Sequence, residues 1–417
     1  MPDGSPVPWD VADIRRRFPA LKKMAAEKPA VYFDGPAGSQ VPQRVIDGIG
    51  RYLTEMNANH GGVFATSVES DALLAQAHQA GADLVGADDP GEIAFGANMT
   101  TLTLAFSRAL ARTWQPADEI VLSRSDHDAN VTPWVLAARD AGVEVKHIEM
   151  NSADGTLNMD DLRQKLSSRT RLVAVGCASN ATGTIHPVAE IARLAHGVGA
   201  EVFLDAVHFA PHLLMDVRAW DCDYLACSAY KFFGPHVGLL WGTRQRMEAL
   251  QPYKLRPSSD KLPERWMTGT QSHEGIAGTL EAIEYLAELG RPIVGSSASR
   301  RAALRAAFER IARYEQTLLL RLMNGLAAMP LVKVWGITDP GHFDHRVPTV
   351  SLTHSGYSAR VLAERLAAEG IFAWHGNFYA LPLTEALGLE PDGLLRIGLL
   401  HYNTAEEVDR LLAAMPA

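Results

Sequence analysis

Lys231 and Asp205 are the two residues whose types and setting could do covalent chemistry. The lysine stands in Cys-Ser-Ala-Tyr-Lys-Phe-Phe-Gly-Pro (residues 227–235), beside aromatic side chains and ahead of a Gly-Pro turn. The acid closes the apolar run Glu-Val-Phe-Leu-Asp (201–205), where a strand would end. An amine in such a place can form a Schiff base, an aldimine, with a carbonyl compound, and a carboxylate at a strand end can keep a heterocyclic nitrogen protonated. The pair suits pyridoxal 5′-phosphate, whose ring becomes an electron sink when that nitrogen holds its proton. The plain alternative is a lysine in a surface turn, and the rest of the chain decides between them.

Such a pair needs a scaffold. Between about residues 90 and 245, short apolar runs bounded by Gly, Pro, Asp or Asn alternate with helical patterns. Residues 91–96, 119–123, 143–150, 171–176, 201–205, 224–228 and 237–241 read as strands. Their continuous apolar character predicts burial on both faces, and the intervening helices predict a mostly parallel, seven-stranded sheet. In this doubly wound α/β arrangement ligands lie beyond the carboxyl ends of the strands. Asn98, Asp126 with His127, Asn180, Asp205 with His208, and Ser228 with Lys231 all fall at such ends. Each could be a cap or turn residue, but five ends together favour a site.

From about residue 290 the pattern changes. Residues 299–329 read as a long amphipathic helix, 347–353 and 394–400 as strands, and 358–369 and 405–415 as helices, which predicts a smaller α+β domain. The expected division is an N-terminal arm (1–30) packing with the small domain, a large cofactor-binding domain (31–290) and a small C-terminal domain (291–417).

Composition narrows the classes. A chain of 417 residues exceeds one small core, and 47% hydrophobic with 21% charged residues is ordinary for a globular enzyme. A net charge of −9 gives no basic face for nucleic acid. A polar, Pro-rich start and the lack of a long apolar run predict a cytoplasmic protein away from membranes. Three cysteines without a CxxC pair indicate neither a disulfide framework nor a metal site.

With these motifs in order, the sequence resembles the class V aminotransferase group of fold-type I pyridoxal-phosphate enzymes, nearest to its cysteine desulfurase-like branch. The resemblance runs from Tyr-Phe-Asp-Gly-Pro-Ala-Gly-Ser-Gln-Val-Pro (32–42) to Arg-Ile-Gly-Leu-Leu-His-Tyr-Asn-Thr (396–404). It implies Lys231 as the Schiff-base lysine, Asp205 on the ring nitrogen and His127 stacked on the ring. It further implies Asn180 and His208 near the phenolic oxygen, and Asn98, the Met99 backbone, Ser228 and Tyr230 on the phosphate. Thr270, in Trp-Met-Thr-Gly-Thr-Gln (266–271), resembles the segment that reaches the partner's phosphate, which implies a homodimer with shared sites. Arg396 resembles the arginine that clamps a substrate carboxylate with its planar fork.

One departure matters. Desulfurases of this branch carry a cysteine on a loop that reads here Trp-His-Gly-Asn-Phe-Tyr-Ala-Leu-Pro (374–382), with Tyr379 at the cysteine position. Tyrosine cannot form a persulfide, so persulfide-forming desulfuration is not expected. Asn59 and His60, together with His375 and Tyr379, are expected to line the substrate pocket, and the aromatic loop suits a side chain bulkier or less polar than that of cysteine. The expected activity is β-elimination on an amino acid or cysteine S-conjugate, of the carbon–sulfur lyase type. Transamination, epimerisation and non-catalytic cofactor binding are the alternatives.

Overall fold

The computed structural model describes residues 9–416; residues 1–8, the start of the expected arm, lie outside the described residues. Seven strands form the main sheet: β1 (Ile93–Gly96), β2 (Glu119–Ser123), β3 (Glu144–Ile148), β4 (Thr170–Gly176), β5 (Glu201–Asp205), β6 (Tyr224–Ser228) and β7 (Gly238–Gly242). Their spatial order is β1-β7-β6-β5-β4-β2-β3. The pairings are parallel except the two made by β7, which runs antiparallel to β1 and β6. The reason is the length of the β6–β7 connection: residues 229–237 are too few for a crossover, which needs roughly a dozen or more. That short turn carries Lys231.

Alternate residues of the central strands feed two cores on opposite faces. Val173, Val175, Val202 and Leu204 face one, while Leu172, Ala174 and Phe203 face the other. Burial on both sides removes any need for polar alternation, which is why these strands read as continuous apolar runs.

A second, antiparallel sheet contains β8 (Val332–Trp335), β9 (Thr349–His354), β10 (Trp374–Gly376) and β11 (Leu394–Gly398), in the order β8-β9-β11-β10. The helix Arg300–Ala327 ties the two parts together. Its Leu304, Ala307, Phe308 and Ile311 pack in the large core, and Leu318, Leu322 and Leu326 pack with Leu352 and Ile397 of the smaller sheet. The N-terminal stretch does the same: Ile14, Phe18 and Leu21 enter the large core, whereas Val31 and Phe33 enter the smaller one. Among the described residues no helix is long and apolar enough to cross a membrane.

Candidate active site

A cavity of about 530 Å³ opens at the carboxyl ends of the parallel strands, within the usual size range of cofactor sites. Asp205, the last residue of β5, and Lys231, in the turn after β6, both line it. Asp205 accepts a hydrogen bond from the Val207 N–H at 2.8 Å, and burial raises its carboxyl to about 6 against the pull of the Lys231 cation. Burial, reinforced by the Arg396 cation, lowers the Lys231 amine to about 7. Lys231 donates to the Pro36 carbonyl, and its Nζ lies 4.9 Å from the centre of the Tyr230 ring. A lysine so placed has a substantial share of free amine near neutrality, as a nucleophile or base needs.

One end of the cavity is built for an anion. The helix Met99–Leu110 begins there, capped by Asn98, whose Oδ1 accepts from the Thr101 N–H at 2.8 Å. The Met99 N–H donates to Ser228 Oγ at 2.9 Å, joining the helix start to the end of β6. The positive end of the helix dipole at this start favours a phosphate. Gly238 makes the approach possible, since a Cβ there would stand 2.4 Å from the Asn98 carbonyl carbon. Tyr230 also lines the cavity and stacks on His236, with ring centres 4.9 Å apart.

His127, His208 and Asn180 form a further part of the cavity wall. His127 Nδ1 accepts from the Ala129 N–H at 3.0 Å, so the neutral ring carries its hydrogen on Nε2. Burial, with the Lys231 and Arg396 cations, lowers His127 to about 4 and keeps it neutral. Burial also drives His208 well below its ordinary value. Asp126 braces this wall: its Oδ2 accepts from the Gly176 N–H and from Asn130, and Asn130 Oδ1 accepts from Trp134 Nε1.

Three buried polar atoms of cavity-lining residues, Asn180 Oδ1, His208 Nε2 and Asp126 Oδ1, have no hydrogen-bond partner within the described chain. Buried polar atoms left open around one cavity are what a polar ligand would satisfy. The residues present fit pyridoxal phosphate: Asp205 for the ring nitrogen, Lys231 for the carbonyl carbon, and the Asn98–Ser228 end for the phosphate.

The remaining candidates are distributed differently. Arg396, on β11, stands behind Asn180 rather than on the cavity surface; its guanidinium donates to the Asn180 carbonyl at 2.8 Å and covers the Phe378 ring at 4.0 Å. Tyr379 stacks on His127, with ring centres 5.4 Å apart and planes 21° from parallel. His375 is exposed on β10 and lines neither this cavity nor its neighbours. Asn59, His60 and Thr270 line a second cavity of about 740 Å³. A third cavity, of about 300 Å³, borders both, since Thr101 and His236 line it with the first and Thr270 with the second.

Sequence reasoning assigned no role to the segment around Pro36 and Ser39, yet it holds the lysine turn. Ser39 N–H donates to the Tyr230 carbonyl at 3.0 Å, and the Phe233 N–H donates to Ser39 Oγ at 2.7 Å. The Gly-Pro-Ala-Gly-Ser run (35–39) was the available signal: a turn too rich in small residues to pack as a core. His236 and Thr101 were also missed, as ordinary turn and helix residues with no distinguishing neighbours.

The family model described as Aminotransferase class-V matches residues 31–411. The chain is 32% identical to an aminotransferase-like protein of Gibberella zeae, with 98% of each covered. It is 31% identical to a probable cysteine desulfurase of Vibrio cholerae, with 96% of each covered. Among solved structures, a cysteine desulfurase from Thermococcus onnurineus in its apo form superposes with a TM-score of 0.86 at 26% identity, and 98% of each chain is covered. One from Escherichia coli gives 0.83 at 26% identity, again with 98% of each covered.

Proposed function

The chain belongs to the class-V aminotransferase family and is a pyridoxal 5′-phosphate-dependent enzyme of the fold-type I architecture, and on that premise we propose that it catalyses β-elimination from an amino acid or cysteine S-conjugate, as a carbon–sulfur lyase, without forming a persulfide. The observation that carries this reading is the state of the thiols. Cys177, Cys222 and Cys227 are all buried, and burial raises each thiol above its ordinary value. A persulfide donor needs an accessible thiolate, and the loop that would carry one presents Tyr379 instead.

When bound, the cofactor supplies the electron sink that stabilises charge at the substrate α-carbon. The chain supplies the rest. Asp205, almost wholly buried, holds the proton on the ring nitrogen. Lys231, whose amine burial lowers to about 7, takes the proton from the α-carbon. The helix start at Asn98 and Met99 fixes the phosphate, and Arg396 holds the Asn180 backbone at the cavity wall through its carbonyl. Departure of a thiolate from the β-carbon then needs no protein nucleophile.

Transamination uses the same lysine, and the likeness to an aminotransferase-like protein supports it as the second reading. Incubating the purified holoenzyme with S-alkyl and S-aryl cysteines separates the two. Pyruvate, ammonia and free thiol released without an acceptor support the lyase; a keto acid formed only when an acceptor keto acid is added supports the transaminase instead.

The working unit of this reading is a homodimer in the cytoplasm. Exposed Val63 and Phe64 beside the cavity that holds Asn59, His60 and Thr270 support a covering partner copy, and three unpaired cysteines suit a reducing compartment. Sedimentation velocity showing a monomer at micromolar concentration would refute the dimer.

A further inference from the structure

The loop after β10 is built unlike a surface loop. Phe378 and Tyr379 are consecutive residues in the left-handed backbone region, at φ of 58° and 59°, and neither is glycine. Such strain persists only where the surroundings over-determine it. Here they do. Asn180 Nδ2 donates to the Phe378 carbonyl at 2.8 Å, the Asp128 N–H donates to the Tyr379 carbonyl at 2.7 Å, and the Tyr379 N–H donates to Asn377 Oδ1 at 3.1 Å. Beyond the loop, Ala380 and Leu383 are buried against Ala181. Two of these ties run to the cavity wall: one to Asn180 itself and one to the residue after His127.

What this backbone presents is the Tyr379 ring, laid on one face of the His127 imidazole while 72% of the residue stays exposed. His127 lines the cavity and Tyr379 does not. Its edge is already fixed by the Ala129 N–H on Nδ1. An edge contact alone leaves the ring free to tilt about it; a second ring on the outer face removes that freedom.

We propose that Tyr379 is a positioning residue that clamps His127 from the solvent side and so sets the plane of the imidazole against the bound cofactor. This rests on the cofactor assignment and not on the choice between elimination and transamination. The contact is one of ring faces, so phenylalanine should replace tyrosine and an aliphatic residue should not.

The test uses Tyr379→Phe, Tyr379→Ala, His127→Ala and the Tyr379→Ala/His127→Ala pair. Pyridoxal phosphate affinity and the induced circular dichroism of the cofactor band are read without substrate. Tyr379→Ala is expected to weaken cofactor affinity about threefold to tenfold, the range of an aromatic pair, and to reduce the induced signal, while Tyr379→Phe keeps both. In the His127→Ala background, Tyr379→Ala should add nothing, because the clamp has lost its target. Equal loss in both Tyr379 single variants would assign the effect to the hydroxyl and overturn the proposal. So would an unchanged Tyr379→Ala, or an undiminished effect without His127. A general folding defect is recognised in the double variant, where it would persist.

Discussion

If burial and the Arg396 cation set the Lys231 amine at about 7 instead of the ordinary 10.5, its reactivity must titrate near neutrality. At pH 7.5 roughly three quarters of such an amine is unprotonated, against on the order of 0.1% for an unperturbed lysine, a difference of about 5 kcal/mol between the two protonation states. Competitive labelling of the cofactor-free protein with trace acetic anhydride across pH 5–11 reads this directly. The Lys231 peptide, resolved by mass spectrometry, reports its midpoint beside those of the surface lysines. Two substitutions test the cause: Arg396→Gln removes a neighbouring cation and should move the midpoint up, and Asp205→Asn removes the opposing anion and should move it down. A wild-type midpoint above about 9, or no upward movement in Arg396→Gln, refutes the electrostatic account of how this lysine is kept ready.

Other outcomes follow from the same geometry. Because the Asp205 carboxyl is raised from 3.8 to about 6, the folded protein binds that proton where the unfolded chain has released it, so its contribution is present below about pH 4 and lost as pH rises through 6; urea melts of the cofactor-free protein should show Asp205→Asn gaining up to roughly 3 kcal/mol on wild type across this window. Gly238→Ala puts a Cβ 2.4 Å from the Asn98 backbone and should cost about 1–3 kcal/mol in thermal stability and loosen cofactor retention on dialysis. All three cysteines are buried, so a thiol reagent at pH 8 should label none in the native protein and all three in denaturant. Lys231→Ala should bind the cofactor without the visible band of a protein Schiff base, and an unchanged spectrum would contradict its assignment.

Much of the scaffold was legible in the chain for a stated reason. Strands buried on both faces are apolar through their middles and bounded by polar residues, so β2, β5 and β6 (Glu119–Ser123, Glu201–Asp205 and Tyr224–Ser228) are readable to the residue. Polar residues at the ends of such runs can cap helices, as Asn98 does, yet Asn98, His127, Asn180, Asp205, His208, Ser228 and Lys231 also meet at one cavity. Boundaries inside long helices were harder: the helix Arg300–Ala327 reads as one amphipathic stretch, and nothing in its periodicity reveals that its two halves serve different cores.

The sequence by itself determined the strand ends, the lysine–acid pair and the missing thiol, because each is a matter of residue type at a local position. Tertiary structure alone decided which groups share a cavity and which face each ring presents. Tyr379 lies far from His127 in the chain, yet two strained residues and a few backbone hydrogen bonds seat one ring on the other. Arg396 is drawn behind Asn180 and Phe378 by the register of β11, while Asn59, His60 and Thr270 gather at a separate cavity. Such contacts depend on where distant segments are brought together by packing, and no local pattern of residues encodes that distance.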